Sequence, residues 1–230
     1  MKLSVVKNLI KKMADPDEDK KDLTHALGLS SLVYFSNGFI SKHLDALGMP
    51  YKILEYKDMK CLIAETDTSV FISFRGTEPS KWSNWKRILN IIPKYFGFDL
   101  YVHGGFQLYH KEYEQFVKDF IDSINRPKKI VFTGHSLGAA LASLFNISYT
   151  RNSSSIVFAC PNFLFNSKFK SPNSFSYRIV LDFVTWIPFD LPFIDWSRAS
   201  DTIRVKSKKN YINPVSYHSL ENYIKSILND

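Results

Sequence analysis

Cysteine is scarce in this chain: its 230 residues include two, Cys61 and Cys160. Both sit in apolar, strand-like surroundings that suit buried thiols, and two such residues make no disulfide framework. No motif adjoins Cys160 that would make it a nucleophile. Apolar runs are short, none reaching the roughly 18 residues that a membrane-spanning helix needs. Internal repeats and low-complexity linkers are missing as well, which leaves one domain over residues 1–230, with 1–20 as a peripheral N-terminal helix. The opening Met1-Lys2-Leu3-Ser4-Val5-Val6-Lys7 has neither the continuous apolar segment nor the small-residue cleavage site of an export signal. A cytoplasmic location is therefore expected.

What is present suits a globular protein. Hydrophobic residues make up 45% and aromatics 15%, with 19 Phe and 12 Tyr. A Phe-packed core is the plain reading, and an apolar substrate site lined by some of these rings is the functional one. The net charge is +8. Lys is scattered and no nucleic-acid motif occurs, so no nucleic-acid partner is expected. A solvated basic surface, open to peripheral contact with lipid, accounts for the charge.

Leu3, Val6, Leu9, Ile10 and Met13 recur at helical spacing, opposite Lys7, Lys11 and Lys12. This predicts an amphipathic helix that packs its stripe on the domain or, as the second reading, lies on a membrane. Helices are expected over 23–47, interrupted near Asn37-Gly38, and strands at 51–55, 61–65 and 70–75. Residues 80–101 mix Trp82, Trp85, Tyr95, Phe96 and Phe98 with Lys81, Lys86, Arg87 and Lys94. They read either as a surface helix followed by a loop or as a mobile apolar lid that meets lipid. A helix follows His103 to about residue 125. Further strands at 130–133, 155–159, 177–181 and 203–205 alternate with helices at 136–149 and after His218. The pattern predicts the α/β class, a mainly parallel central sheet flanked by helices.

The chemistry centres on Gly134-His135-Ser136-Leu137-Gly138. The bare G-x-S-x-G pattern is weak, expected by chance in roughly one chain in ten of this length. Context strengthens it, because Ile130-Val131-Phe132-Thr133 leads in as a strand and Ala139-Ala140-Leu141-Ala142 leads out as a helix. A serine on such a strained strand-to-helix turn has its Oγ lifted clear of the sheet. The Leu137 N–H, at the helix N-terminus, is placed to meet developing negative charge.

A serine hydroxyl needs a base, and the base needs an orienting acceptor. After Ser136 the chain contains one histidine, His218, just before the final helix. The acid is less determined, since Asp182, Asp190, Asp195 and Asp201 all lie between them. Asp182 is favoured, because it follows the apolar run Ile179-Val180-Leu181 and so falls at the carboxyl edge of the sheet, where catalytic groups of such folds gather. Asp190 and Asp195 belong to an aromatic loop with Trp186 and Phe189. Upstream, Phe74-Arg75-Gly76-Thr77 ends a strand where a backbone N–H and a hydroxyl can complete an oxyanion site.

Taken together these pieces resemble the class 3, fungal-type lipases of the α/β-hydrolase fold. Phe74-Arg75-Gly76-Thr77, Val102-His103-Gly104-Gly105-Phe106, Thr133-Gly134-His135-Ser136-Leu137-Gly138-Ala139-Ala140-Leu141-Ala142 and Asp182-Phe183-Val184-Thr185-Trp186-Ile187-Pro188 each match a motif of that family. Ser83-Asn84-Trp85 departs from its usual Asp-Trp. The resemblance implies a serine esterase or lipase acting on acylglycerol-type esters, with Ser136, Asp182 and His218 as the triad and Thr77 and Leu137 forming the oxyanion hole. Trp85, Trp186 and Phe189 would then face the acyl chain. His135 is read as structural and His103 as a brace for the lid region. The implied chemistry needs no metal or organic cofactor. Phospholipase or acyltransferase action on the same triad is an alternative, and a non-catalytic lipid-binding protein is another.

Overall fold

The computed structural model describes residues 1–56, 59–76, 91–123, 128–149, 152–190 and 193–228. The helices in chain order are α1 (Leu3–Ala14), α2 (Lys21–Leu32), α3 (Asn37–Ala46), α4 (Gly104–Asp122), α5 (Leu137–Ser148) and α6 (Leu220–Ile227). The strands are β1 (Tyr51–Tyr56), β2 (Met59–Glu65), β3 (Ser69–Phe74), β4 (Pro93–Gly97), β5 (Leu100–His103), β6 (Lys129–His135), β7 (Ser153–Phe158), β8 (Leu164–Phe165), β9 (Ser174–Ile179), β10 (Trp196–Ser197) and β11 (Asp201–Val205).

Among the described residues one sheet runs in the order β1-β2-β3-β6-β7-β9-β11. Its β1–β2 and β2–β3 pairings are antiparallel, and β3–β6, β6–β7, β7–β9 and β9–β11 are parallel. The α/β class and the mainly parallel sheet are both present. The central strand β6 carries Ile130, Val131, Phe132 and Thr133, all buried. A strand covered on both faces reads as a continuous apolar run, as this one does.

Alternate residues of the strands feed two cores. Ile63, Ile72 and Phe132 join Phe106 and Tyr113 of α4 and Leu141 and Phe145 of α5. Leu62, Phe71 and Val131 face the other way, toward Leu9 of α1, Leu29 of α2, Ile40 of α3 and Tyr223 of α6. The stripe of α1 is spent on this second core, with Val6, Leu9, Ile10 and Met13 buried. Its packing reading therefore prevails over the membrane one. No helix among the described residues is long and apolar enough to cross a membrane.

Some boundaries differ from expectation. The break between the first helices falls at residues 33–36, and Asn37 starts α3 instead of interrupting a helix. Ser36 caps α3 by accepting the Phe39 N–H at 3.4 Å. The buried Lys60 ammonium holds the connection open by donating to the Phe35 carbonyl at 2.8 Å and to Asn37 Oδ1 at 2.6 Å. Strand β9 stops at Ile179, so Val180 and Leu181 are exposed turn residues and not strand. A second sheet, ordered β10-β8-β5-β4, had no counterpart in the sequence reading. Its β4–β5 hairpin occupies the end of the stretch expected to be loop or lid, turning through Phe98 and Asp99 at positive φ.

Candidate functional site

Ser136 sits at the end of β6 with φ +59° and ψ −125°, a conformation that strains any residue with a side chain. The surrounding contacts hold it there. Its N–H donates to the Phe158 carbonyl at 3.1 Å, and its own carbonyl accepts the Ala139 N–H at 2.9 Å. The turn is tight because β6, α5 and β3 touch backbone to backbone. A Cβ on Gly134 would lie 2.5 Å from the Gly138 carbonyl, and one on Gly138 would lie 2.1 Å from the Phe74 oxygen. Neither position admits a larger residue without moving a strand.

His218 ends a short 3-10 turn, Pro214–His218, opened by Asn213, which accepts the Val215 N–H at 3.0 Å. Ser219 then caps α6 by accepting the Asn222 N–H at 3.3 Å. Between these two caps the imidazole reaches the elbow, with Nε2 2.8 Å from Ser136 Oγ. Its Nδ1 lies 3.0 and 2.9 Å from the two carboxylate oxygens of Asp182. An ionised carboxylate only accepts, so Nδ1 carries the proton and Nε2 is left to accept from the serine hydroxyl.

Asp182 is wholly buried. A carboxylate in that setting requires donors, and three groups supply them. Besides His218, the Val184 N–H reaches Oδ1 at 3.2 Å and the Tyr223 hydroxyl reaches Oδ2 at 2.8 Å. The first turn after Asp182, Phe183–Trp186, is pinned from below by the guanidinium of Arg198, which donates to the Thr185 carbonyl and, at 2.7 Å, to the Cys160 carbonyl. The other candidate acids lie elsewhere. Asp190 is exposed and accepts the Trp196 N–H at 2.8 Å, and Asp195 is exposed and donates its own N–H to Asn166. Asp201 is the first residue of the edge strand β11.

Leu137 begins α5, its side chain buried and its backbone N–H on the first turn beside Ser136. Gly76, two residues past the end of β3, lies close to the same serine. A Cβ there would come within 3.4 Å of Ser136 Cβ, 2.5 Å of the His135 carbonyl and 2.4 Å of the Tyr34 hydroxyl. Thr77, the next residue, and Trp85 lie outside the described residues, as does most of the expected lid. Trp186 belongs to the turn after Asp182, with the Arg178 guanidinium 3.7 Å from its ring centroid. Phe189 is exposed. His103 is buried at the start of α4, stacked on Phe106 with ring centroids 4.1 Å apart.

Two residues that sequence reasoning did not place at the site, Tyr34 and Tyr223, stand around it together with His135, the elbow residue read as structural. Tyr34 follows α2 and is 3.3 Å from His135 Nδ1. His135 reaches the His218 carbonyl, 2.8 Å from Nε2. Burial first, and then the neighbouring His218, push the His135 pKa down to about 3. Tyr223 holds Asp182 and also accepts the Ile179 N–H at 3.1 Å. Burial and the adjacent Asp182 raise its phenol well above the ordinary value, so it is a permanent donor. Tyr223 lies on the buried face of α6.

Residues 71–191 match the family model described as Lipase (class 3). A search of curated proteins by sequence gives no match. Among solved structures, the mono- and diacylglycerol lipase of Aspergillus oryzae superposes with a TM-score of 0.68 at 18% identity, over 88% of this chain and 85% of that one. The Rhizomucor miehei lipase in its propeptide complex gives 0.64 at 20% identity, over 82% and 69%. The nonglycosylated LIP2 lipase of Yarrowia lipolytica gives 0.63 at 18% identity, over 90% and 84%. At such identities the likeness shows a shared α/β-hydrolase fold.

Proposed function

The chain belongs to the class 3 lipase family, and we propose that it hydrolyses carboxylic esters of acylglycerol-type lipids through an acyl-enzyme on Ser136. One observation carries this reading: Ser136 Oγ, the His218 ring and the buried Asp182 carboxylate form a single hydrogen-bonded line of 2.8 and 2.9 Å. Ser136 Oγ attacks the ester carbonyl while His218 Nε2 takes its proton. Asp182 holds the Nδ1–H tautomer and stabilises the imidazolium. The Leu137 N–H and Thr77, through its N–H and hydroxyl, receive the oxyanion, where preorganised donors contribute most. His218 then protonates the leaving alcohol, and water releases the acyl group by the reverse path. These steps call for no metal or organic cofactor.

The substrate side of the reading rests on exposed apolar residues flanking Asp182. Val180, Leu181, Phe183, Trp186, Phe189 and Phe193 all stand in solvent, Phe193 at 98% exposure. Exposed apolar residues this close in the chain to the acid suit contact with a lipid surface. Trp186 and Phe189, with Trp85, are assigned to the acyl chain. The test is hydrolysis by purified protein of short- and long-chain acyl esters, with Ser136→Ala alongside and headgroup-resolved products from mixed vesicles. Loss of acyl chains from diacyl- or triacylglycerol, reduced about 10⁴-fold or more in Ser136→Ala, supports the reading. Release confined to phospholipid would make the protein a phospholipase, and transfer to an alcohol in place of water an acyltransferase. Equal activity in wild type and variant would overturn the mechanism.

A further inference from the structure

We propose that Tyr34 and His135 form a positioning strut that locks the elbow, the oxyanion strand end and the His218 turn into one register. The inference rests on the reading of Ser136 as nucleophile.

Hydrogen-bond direction fixes the tautomer of His135. His135 Nε2 faces the His218 carbonyl oxygen at 2.8 Å. A carbonyl only accepts, so Nε2 carries the proton. Nδ1 is then a bare acceptor, and the group 3.3 Å from it is the Tyr34 hydroxyl. Tyr34 therefore donates its proton to His135. Its oxygen keeps a lone pair, and that lone pair accepts the Gly76 N–H at 3.0 Å. One tautomer satisfies every direction in the chain from Gly76 through Tyr34 and His135 to His218. The low pKa of His135 keeps that tautomer neutral under ordinary conditions.

Each end of the strut is a piece of the reaction site. Gly76 leaves no room for a Cβ between itself, Tyr34 and the His135 carbonyl, and it precedes Thr77. His135 is bonded to Ser136. The His218 carbonyl belongs to the same residue whose Nε2 meets the serine hydroxyl at 2.8 Å. Tyr34 itself lies two residues past the end of α2, which is tied to β6 where Thr133 Oγ1 meets Ser30 Oγ at 2.9 Å. None of these groups needs to touch substrate. Their role is to hold donor, nucleophile and base within the small tolerance that proximity catalysis allows.

A positioning role has a kinetic signature. Removing it lowers kcat while KM for a small soluble ester stays put, because the binding surface is untouched. Tyr34→Phe keeps the ring and deletes the hydroxyl. We expect kcat to fall about 10- to 30-fold, the effect of one buried hydrogen bond felt at the transition state, with KM within about twofold and Tm within a few degrees. Because the two residues act as one unit, Tyr34→Phe with His135→Asn should lose no more than His135→Asn alone. A kcat within twofold of wild type, a matching change in KM, or multiplying losses in the double variant would overturn the strut. Imidazole ¹⁵N NMR of the wild type gives a readout independent of turnover. An Nε2–H tautomer for His135 is expected, and an Nδ1–H tautomer or an imidazolium at neutral pH would overturn the proposal. A wild type without esterase activity would defeat the proposed function instead, and the NMR result would still decide the hydrogen-bond chain.

Discussion

The Tyr223 hydroxyl donates to Asp182 Oδ2 at 2.8 Å and accepts the Ile179 N–H at 3.1 Å. One phenol thus ties the acid to the last residue of β9 and to the helix that follows His218. Tyr223→Phe leaves a buried carboxylate oxygen short of a donor and a buried N–H short of an acceptor. Such losses cost about 1–3 kcal/mol, or roughly 3–10 °C in Tm for a chain of this size. Activity should fall about tenfold, since Asp182 is then less firmly held. Thermal unfolding and short-chain ester kinetics on the variant check both numbers. An unchanged Tm would mean the two hydrogen bonds carry no weight.

Gly76 and Gly38 provide a matched pair. A Cβ on Gly76 collides with the Tyr34 hydroxyl and the His135 carbonyl, whereas one on Gly38 meets nothing within 4 Å. Gly76→Ala should cost about 1–3 kcal/mol of stability and about 100-fold or more in activity, because the strain falls on the elbow. Gly38→Ala, in the first turn of α3, should keep full activity and match or exceed wild-type Tm. The two variants assayed side by side separate local crowding from a general glycine effect.

The acid is identified by ranking. Asp182→Asn removes the charge that orients His218 and should lower kcat about 10⁴-fold. Asp190→Asn and Asp195→Asn affect exposed residues, one bonded to the Trp196 N–H and the other joined through its backbone to Asn166, and each should stay within about threefold of wild type. The reverse order in kcat would reassign the acid.

Much of this site was legible because it is local in the chain. The glycines at 134 and 138, the apolar strand before and the helix after are contiguous, and His218 had no rival downstream of Ser136. The tertiary partners were not legible. Tyr34 meets His135 across 101 positions, and no spacing rule links them. Tyr223 has the periodicity of a core residue and the hydroxyl of a positioning one, and only the fold tells which matters. The second sheet escaped for two reasons. Strands β8 and β10 are two residues each, too short for any alternation to register. The β4–β5 hairpin turns on Phe98-Asp99, a pair without the glycine that usually marks such turns. Val180 and Leu181 misled in the other direction, being strand-like in type yet placed in an exposed turn.

Acid should weaken the fold in a defined window. Burial pushes His110 down to about 4 and His135 down to about 3. Unfolded, both titrate near the ordinary histidine value of about 6.5. The unfolded chain therefore takes up protons that the folded one refuses. Stability is complete above that value and is lost as pH falls, down to about 4 for His110 and about 3 for His135. Between pH 7 and pH 5 each residue should cost about 2 kcal/mol, which corresponds to roughly 4–8 °C in Tm. His110→Gln should remove its share and narrow the gap between the two pH values. A wild-type Tm that is flat over this range would contradict the buried, neutral state of both rings.

The central claim is that Ser136 is a nucleophile activated by His218. Covalent labelling tests it without any assumption about the natural ester. A phosphonate ester offered to the purified protein should add to the peptide carrying Ser136, seen by mass spectrometry, with release of its alcohol. Ser136→Ala should take no label, and His218→Ala should take it at least about 10³-fold more slowly. Label on another residue, or equal labelling in wild type and His218→Ala, would contradict the account.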